Sequence, residues 1–212
     1  MNKQVLVIGA NGHLGQMVVQ DLLQNNAKVV TLTRKPFKVT NTTDIVGDPK
    51  NYDDVKKAAT EVDAIISTVG AGSIDELIAI ATNVAKVAAE IKVPLIWSAG
   101  AGTLIQKDGT RLIDQPQSNF PAPLAAAIFG HAKVKDLFPT IDDLNYVFVS
   151  PAFTLDLERP EHSFKLEVTD QVLYNKDDES IIGYLTQAKI LVYLVDHYQD
   201  YLNKQITSVE TD

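Results

Sequence analysis

The 212-residue chain contains no cysteine. This excludes disulfide bonds, thiol nucleophiles and cysteine-based metal sites, and it favours a reducing, cytoplasmic setting. The sequence also has no apolar run of membrane-spanning length, and no basic segment followed by an apolar leader at its start. We therefore expect neither secretion nor insertion into a membrane.

Positive charge is scarce: 19 lysines and arginines face 27 acidic residues, which gives a net charge of −8. A nucleic-acid backbone requires a basic surface, so we expect no nucleic-acid partner. The four histidines are scattered without carboxylates at ligand spacing, and we expect no metal site. An apolar content of 45% suits one globular domain spanning residues 1–212, which we expect to be a monomer or a homodimer.

The stretch "VLVIGANGHLGQMVV", residues 5–19, places Gly9, Gly12 and Gly15 between two apolar runs. Four β-favouring residues precede the glycines and helically spaced apolar residues follow them, which predicts strand, tight turn and helix. A helix that begins at such a turn presents free N–H groups and suits a phosphate. The spacing is GxxGxxG instead of the usual GxGxxG, and plain turns also contain it, so context must decide.

Strands and helices alternate along the rest of the chain, which predicts an α/β fold with a doubly wound, Rossmann-type parallel sheet. After Pro151 we expect a small lid: two short strands or a hairpin in 164–175, a helix over 186–202 and a last strand. This region, 151–212, should form a substrate-side rim of the single domain. The expected strands of the sheet cover residues 5–8, 28–33, 44–46, 64–67, 94–97 and 146–150. The expected helices follow Asn51, follow the "SIDE" capping box at Ser73, and cover 124–138.

The end of the second strand, "TLTRKP", carries Arg34 and Lys35 and no carboxylate. In dinucleotide-binding folds an acidic residue here holds the ribose hydroxyls of NAD, whereas an arginine accommodates the 2′-phosphate of NADP. The sequence therefore favours NADP, with NAD left open. The alternative is that both are ordinary solvated charges.

Several segments together resemble a known family: "GANGHLG", "TRKP", "VGD", "STVGAG", "SAGAGTL", "LIDQP" and "VSPAF". They are similar to the atypical short-chain dehydrogenase/reductases, and within them to the NADH-flavin reductase group, which neighbours the NmrA-like and biliverdin-reductase-B-like proteins. The resemblance extends over nearly the whole chain.

The resemblance implies a cofactor site and the residues that form it. The pyrophosphate loop would be Gly9, Asn11, Gly12, His13, Leu14 and Gly15, and Arg34 would meet the 2′-phosphate. Asp48 would lie near the adenine, Thr68, Val69 and Gly70 would line the nicotinamide ribose, and Ser98, Ala99 and Gly100 would face the nicotinamide. Candidate apolar walls on the substrate side are Phe120, Pro121, Phe153 and Phe164, each of which could equally be core packing.

The catalytic pattern departs from the family. Typical members use a YxxxK pair, but "FGHAK" places Phe129 where the tyrosine belongs and Lys133 where the lysine belongs. Phenylalanine cannot transfer a proton, which leaves Ser98 and Lys133 as the candidate catalytic residues. Two functions stay open: an NADP-dependent reductase of a flavin- or quinone-like acceptor, or a non-catalytic NADP(H)-binding redox sensor of the NmrA-like type.

Overall fold

The computed structural model describes residues 2–70 and 72–211. Within these ranges the chain forms ten strands and five α-helices. The strands are β1 (Gln4–Ile8), β2 (Lys28–Thr33), β3 (Thr42–Val46), β4 (Ala64–Ser67), β5 (Leu95–Ser98), β6 (Tyr146–Ser150), β7 (Thr154–Asp156), β8 (Phe164–Glu167), β9 (Ile181–Gly183) and β10 (Lys204–Glu210). The helices are α1 (His13–Gln24), α2 (Tyr52–Ala58), α3 (Ile74–Ile91), α4 (Ala122–Leu137) and α5 (Tyr184–His197).

Eight strands form one sheet in the order β3-β2-β1-β4-β5-β6-β10-β8. All neighbours are parallel except β8, which runs antiparallel to β10. The chain starts in β1, winds outward to β3, returns to β4 and continues to the other edge. The predicted doubly wound parallel sheet is thus confirmed. β7 and β9 form a separate two-stranded parallel sheet.

The two faces of β1 show why the sheet is covered on both sides. Val5 and Val7 belong to a core packed against α1 and α5, whereas Leu6 and Ile8 belong to a second core packed against α2, α3 and α4. All four side chains are fully buried. Alternate residues of a strand point to opposite faces, so a continuous apolar run is typical of a strand between two helical layers.

The register brings the carboxyl ends of the central strands to one edge. Ile8 of β1 lies opposite Leu32 of β2 and Ser67 of β4, and Ser67 lies opposite Trp97 of β5. The turns after these strands therefore lie side by side. This is the edge at which doubly wound sheets bind ligands, beside the point where the strand order reverses between β1 and β4.

Helix starts follow the predicted caps, with one difference at α3. The Asn51 side chain accepts hydrogen bonds from the N–H groups of Asp53 and Asp54, and Ser73 Oγ accepts from Glu76 N at 3.1 Å. The Glu76 carboxylate does not return to the Ser73 N–H, as a capping box would require. It accepts from Gly72 N at 2.9 Å instead.

Helix ends differ from the sequence-based bounds because 3₁₀ turns replace the last helical turns. α4 begins two residues earlier than expected, at Ala122, since Pro123 is tolerated in a first helical turn. It stops at Leu137, before a 3₁₀ turn that contains Pro139. α5 likewise gives way after His197 to a 3₁₀ turn, Tyr198–Tyr201.

The expected hairpin or strand pair in residues 164–175 does not form. Residues Phe164–Glu167 make β8, which joins the main sheet at its edge. The next backbone groups bond to Ile105 instead: Ile105 N donates to Asp170 O at 2.8 Å, and Val172 N donates to Ile105 O at 3.0 Å.

In residues 2–70 and 72–211, no helix is long and apolar enough to cross a membrane.

Candidate functional site

The turn between β1 and α1 requires glycine at two positions for different reasons. Gly9 has a φ of +89°, and a Cβ there would lie 3.0 Å from the backbone and hydroxyl of Thr68. Gly15 lies inside α1, where a Cβ would come within 2.2 Å of the carbonyl oxygen of Gly9. These glycines allow the turn to form and the helix to pack against it.

Gly12 occupies the position before the first residue of α1 and borders open space. Its N–H donates to Gly9 O at 3.0 Å, and a Cβ would meet only Gly9 O, at 3.4 Å. No side chain caps this helix start. The first N–H groups of α1 therefore point toward the cleft edge without a side-chain acceptor, an arrangement that suits an anion.

A cleft of about 680 Å³ opens beside this turn, at the carboxyl ends of β1, β2 and β4. It is lined by eight of the residues that the resemblance assigns to the cofactor: Gly9, Asn11, Gly12, Arg34, Asp48, Thr68, Val69 and Gly70. Lys35, which the sequence analysis considered together with Arg34, also lines it. Residues that the sequence did not assign complete the lining: Leu32, Thr33, Pro49, Glu76 and Ile80. Ala71, which belongs to the "STVGAG" motif, lies outside the described residues.

The other predicted loop residues lie apart from the cleft lining. His13 is exposed, and its ring meets that of Tyr184 edge to face at 6.3 Å. The Leu14 side chain is half-buried against the core between α1 and α5. The cofactor roles of His13 and Leu14 stay predictions.

A hydrogen-bond network fixes the loop that follows β2. Thr33 Oγ1 donates to Lys35 O at 2.7 Å, and the Asn11 side chain donates to the same carbonyl at 3.0 Å. Asp44 Oδ2 accepts from Phe37 N at 2.8 Å. These contacts hold the glycine turn and the Arg34–Lys35 segment next to each other.

Charged side chains of both signs meet in the cleft. Arg34 Nη1 lies 3.3 Å from Glu76 Oε1, although α3 and β2 are far apart in sequence. Lys50 Nζ lies 3.9 Å from the same carboxylate oxygen and 3.7 Å from Asp48 Oδ2. The capping pattern at Ser73 placed Glu76 at a helix start, but sequence offered no signal that this helix start borders the cleft.

The segment Ser98–Gly100 follows β5, one strand beyond the cleft. Ser98 is buried, with 8% of its surface exposed, and Ala99 N donates to Val149 O at 2.8 Å. None of the three lines the cleft described above. Their position at the same sheet edge is compatible with the nicotinamide end of a long dinucleotide, and that role stays a prediction.

His131 is a buried polar residue beside this segment that sequence reasoning treated only as one of four scattered histidines. A Cβ on Gly100 would lie 3.6 Å from its Cδ2. Its Nδ1 accepts a hydrogen bond from the Trp97 indole at 3.2 Å. Burial lowers the pKa of His131 to about 4, so the ring is neutral at pH 7.

The two α4 residues at the YxxxK positions, Phe129 and Lys133, do not line the cleft. Lys133 is exposed and does not line the cleft. The Phe129 ring is half-buried and meets Phe120 edge to face at 6.1 Å. Of the other proposed apolar walls, Phe164 packs against the core on β8, and Phe153 is 37% exposed.

The part of the chain that the structure describes contains no cluster of side chains suited to bind a metal ion. No group of three or more histidine, aspartate or glutamate side chains there is arranged to hold an ion. The cleft is instead an apolar and charged groove built on a glycine turn.

Comparisons with known proteins agree with this geometry. A crystal structure from Streptococcus pneumoniae TIGR4, of a protein provisionally assigned as an NADH-flavin reductase, is 26% identical. It superposes with a TM-score of 0.85 over 99% of this chain and 100% of that one. A Bacteroides thetaiotaomicron protein provisionally assigned as an epimerase is 20% identical, with a TM-score of 0.86 over 100% and 99% of the two chains, and shows the fold alone.

Sequence comparison extends the likeness over the whole chain. The uncharacterised protein YwnB of Bacillus subtilis is 23% identical over 209 residues, which are 96% of each chain. The model of the NAD(P)H-binding family matches residues 9–181, from the glycine turn to β9. This chain, with its Rossmann-type sheet and glycine turn, therefore belongs to the NAD(P)H-binding family.

Proposed function

We propose that this protein is an NADP-dependent oxidoreductase that transfers hydride to a flavin- or quinone-like acceptor without a catalytic tyrosine. The observation that carries the proposal is the cleft in which the glycine turn after β1 meets Arg34 and Lys35 after β2. This is the pairing that a dinucleotide with a 2′-phosphate requires. The cysteine-free composition supports a cytoplasmic setting.

The chemistry of the cleft lining supports binding of the adenosine diphosphate half of a nicotinamide dinucleotide. A side chain on Gly9 would fill the space against Thr68, and Gly12 leaves its side of the cleft open. Leu32, Val69 and Ile80 provide apolar walls that suit an adenine ring. The N–H groups at the start of α1 would bind the pyrophosphate, and Arg34 would bind the 2′-phosphate.

The bound nicotinamide would supply the hydride, and the residues of this chain would position the nicotinamide ring beside the acceptor. Thr68, Val69 and Gly70 follow β4, the strand next to β1, and would line the ribose on that side. Ser98–Gly100 would face the ring from the end of β5. These residues would act by holding the nicotinamide close to the acceptor and in the right orientation. Phe129 cannot act as a proton donor.

The acceptor class rests on two observations. The S. pneumoniae relative, similar over its whole length, is provisionally assigned as an NADH-flavin reductase. A flavin or quinone can take a hydride at the nicotinamide face and receive its proton from water, so the phenylalanine at position 129 is no obstacle. A ketone would need a proton donor at that place.

The test is steady oxidation of NADPH in the presence of free FMN, a soluble quinone or a small ketone. We expect turnover with FMN or the quinone, none with the ketone, and loss of turnover in Gly12→Val. Tight NADPH binding with no oxidation by any acceptor would contradict the reductase and favour the redox sensor of the NmrA-like type.

Cofactor choice has its own measurement. Because Arg34 is exposed and paired with Glu76, we expect NADPH to bind more tightly than NADH by only about 1 kcal/mol, the upper end of what an exposed ion pair contributes. Arg34→Met should remove most of this preference and spare NADH. A wild-type protein that binds NADH more tightly would contradict the NADP assignment.

A further inference from the structure

The carboxylate of Glu76 lies in the cleft beside Arg34, where the end of β2 itself carries no acidic residue. Its Oε2 accepts from Gly72 N at 2.9 Å, which fixes the group at the start of α3. Its Oε1 faces Arg34 Nη1 at 3.3 Å and Lys50 Nζ at 3.9 Å. The absence of a carboxylate after β2, which favours NADP on sequence grounds, is therefore compensated from another element.

The two partners of this contact are held to different extents. The Glu76 side chain is 21% exposed and tied to the backbone of Gly72, whereas the Arg34 side chain is 66% exposed. Arg34 can therefore leave the contact at small cost, since exposed ion pairs contribute about 0–1 kcal/mol. Glu76 stays where it is.

We propose that Glu76 is a specificity-determining residue: by pairing with Arg34 in the cleft, it lowers the preference of this site for a 2′-phosphate. This inference rests on the proposed nucleotide site and deepens it. A 2′-phosphate must take Arg34 from Glu76 and accept a fixed negative charge nearby, whereas a cofactor without that phosphate leaves the pair intact. The protein should consequently use NADPH with only a modest advantage over NADH.

The experiment measures binding of two fragments that lack nicotinamide, so that its result does not depend on turnover. Adenosine 2′,5′-bisphosphate and adenosine 5′-monophosphate are titrated calorimetrically into the full-length wild type and into Glu76→Gln. The glutamine keeps an oxygen that can accept from the Gly72 N–H, and the thermal unfolding midpoint checks that α3 is intact. The readout is the ratio of the two dissociation constants.

We expect Glu76→Gln to raise the preference for the 2′-phosphate about two- to fivefold, the range that an exposed ion pair allows. Asp75→Asn is the matched control, because Asp75 is exposed in the same helical turn and does not line the cleft. It should leave the ratio unchanged. In an Arg34→Met background, Glu76→Gln should have a smaller effect, since no arginine is released and only the repulsion between the carboxylate and the phosphate is relieved.

An unchanged ratio in Glu76→Gln would overturn the inference, as would an equal gain in Asp75→Asn or in the Arg34→Met background. Failure of the proposed function looks different. If no acceptor supports NADPH oxidation, the reductase proposal fails while the fragment ratio still reports on Glu76. If neither fragment binds, the nucleotide site itself is wrong and both proposals fall.

Discussion

The indole N–H of Trp97 donates a hydrogen bond to Nδ1 of His131, and both residues are buried between β5 and α4. Because Nδ1 is the acceptor, the neutral imidazole carries its hydrogen on Nε2. Trp97 also meets Phe138 edge to face at 5.4 Å. The strand that ends at Ser98 is thus fixed to α4 by a polar contact and to the 3₁₀ turn after α4 by an aromatic contact.

The first prediction follows from the neutral state of His131. Its pKa is lowered to about 4 in the fold and is 6.5 in the unfolded chain. Between these values the unfolded state binds the proton and the native state does not, so stability falls as pH drops from 6.5 toward 4. The loss should approach about 3 kcal/mol. Urea unfolding at a series of pH values measures it.

His131→Gln is the test variant, because glutamine can still accept from Trp97 but does not titrate. Its stability should be lower than wild type at pH 7 and should fall less between pH 6.5 and 4.5. His197→Gln, which replaces an exposed histidine, is measured in parallel as the control for the substitution itself. Parallel slopes in wild type and His131→Gln would show that His131 does not titrate as the burial requires.

The second prediction separates two glycines of the same turn. Gly12→Val should abolish nucleotide binding with a change in unfolding free energy within about 1 kcal/mol, since its Cβ meets only Gly9 O at 3.4 Å. Gly15→Ala should destabilise by about 1–3 kcal/mol, because its Cβ would lie 2.2 Å from Gly9 O. Calorimetry and urea unfolding are run on both. Equal nucleotide affinity in wild type and Gly12→Val would contradict the phosphate site.

The third prediction concerns Glu210 at the end of β10, which is fully buried. Its carboxylate accepts from Gly183 N at 2.8 Å and from Thr186 Oγ1 at 2.6 Å, and it pairs with Arg159. Glu210→Ala removes the acceptor of the Gly183 N–H and of the Thr186 hydroxyl and should cost about 2–3 kcal/mol in unfolding free energy. Glu161→Gln, which removes an exposed pair with Lys189, should cost less than about 0.5 kcal/mol. Equal costs in the two variants would show that the buried hydrogen bonds of Glu210 do not stabilise the fold more than an exposed ion pair does.

The same carboxylate gives a pH dependence of known sign. Burial alone would raise the pKa of Glu210, but the hydrogen bonds from Thr186, Gly183 and Arg159 outweigh it and lower the pKa below 4.5. Its stabilising contribution is therefore present above pH 4.5 and is lost as pH falls through the lowered value. Glu210→Gln should weaken this acid dependence in unfolding measurements, and an unaltered profile would contradict it.

The fourth prediction concerns the catalytic pattern on α4. Phe129→Tyr should leave FMN or quinone reduction nearly unchanged, because those acceptors need no proton from this position. Lys133→Ala should weaken NADPH binding if the lysine holds the ribose, whereas Lys135→Ala on the same helix should not. NADPH oxidation and binding are measured against pH for all three. Robust ketone reduction by the wild type with a bell-shaped pH profile would show that the catalytic acid has been misplaced.

Local pattern was sufficient for most of the fold. β2, β4 and β6 have the bounds expected from their apolar runs, and Asn51 caps α2 as predicted. These features depend on residues that are neighbours in sequence, such as a strand's own side chains or a cap and the next two N–H groups. The 3₁₀ ends of α4 and α5 were missed because packing and proline decide where a helix stops.

Long-range pairing was beyond the sequence. That β8 joins β10 antiparallel, and that residues 170–172 bond to Ile105, depends on which backbone groups remain free at the sheet edge. No periodicity within 164–175 carries this information. For that reason the prediction of a second strand within residues 164–175 was wrong.

The candidate site likewise combines features that the sequence predicts with contacts that it does not. The sequence by itself determined the glycine turn, its place after a buried strand, and the arginine after the second strand, since each is a local property of the chain. Only the tertiary structure brought Glu76 to Arg34 and Trp97 to His131, because the paired residues are 42 and 34 positions apart in the sequence. The packing places a carboxylate beside the arginine of the cleft, and it buries His131 so that the neutral imidazole is favoured.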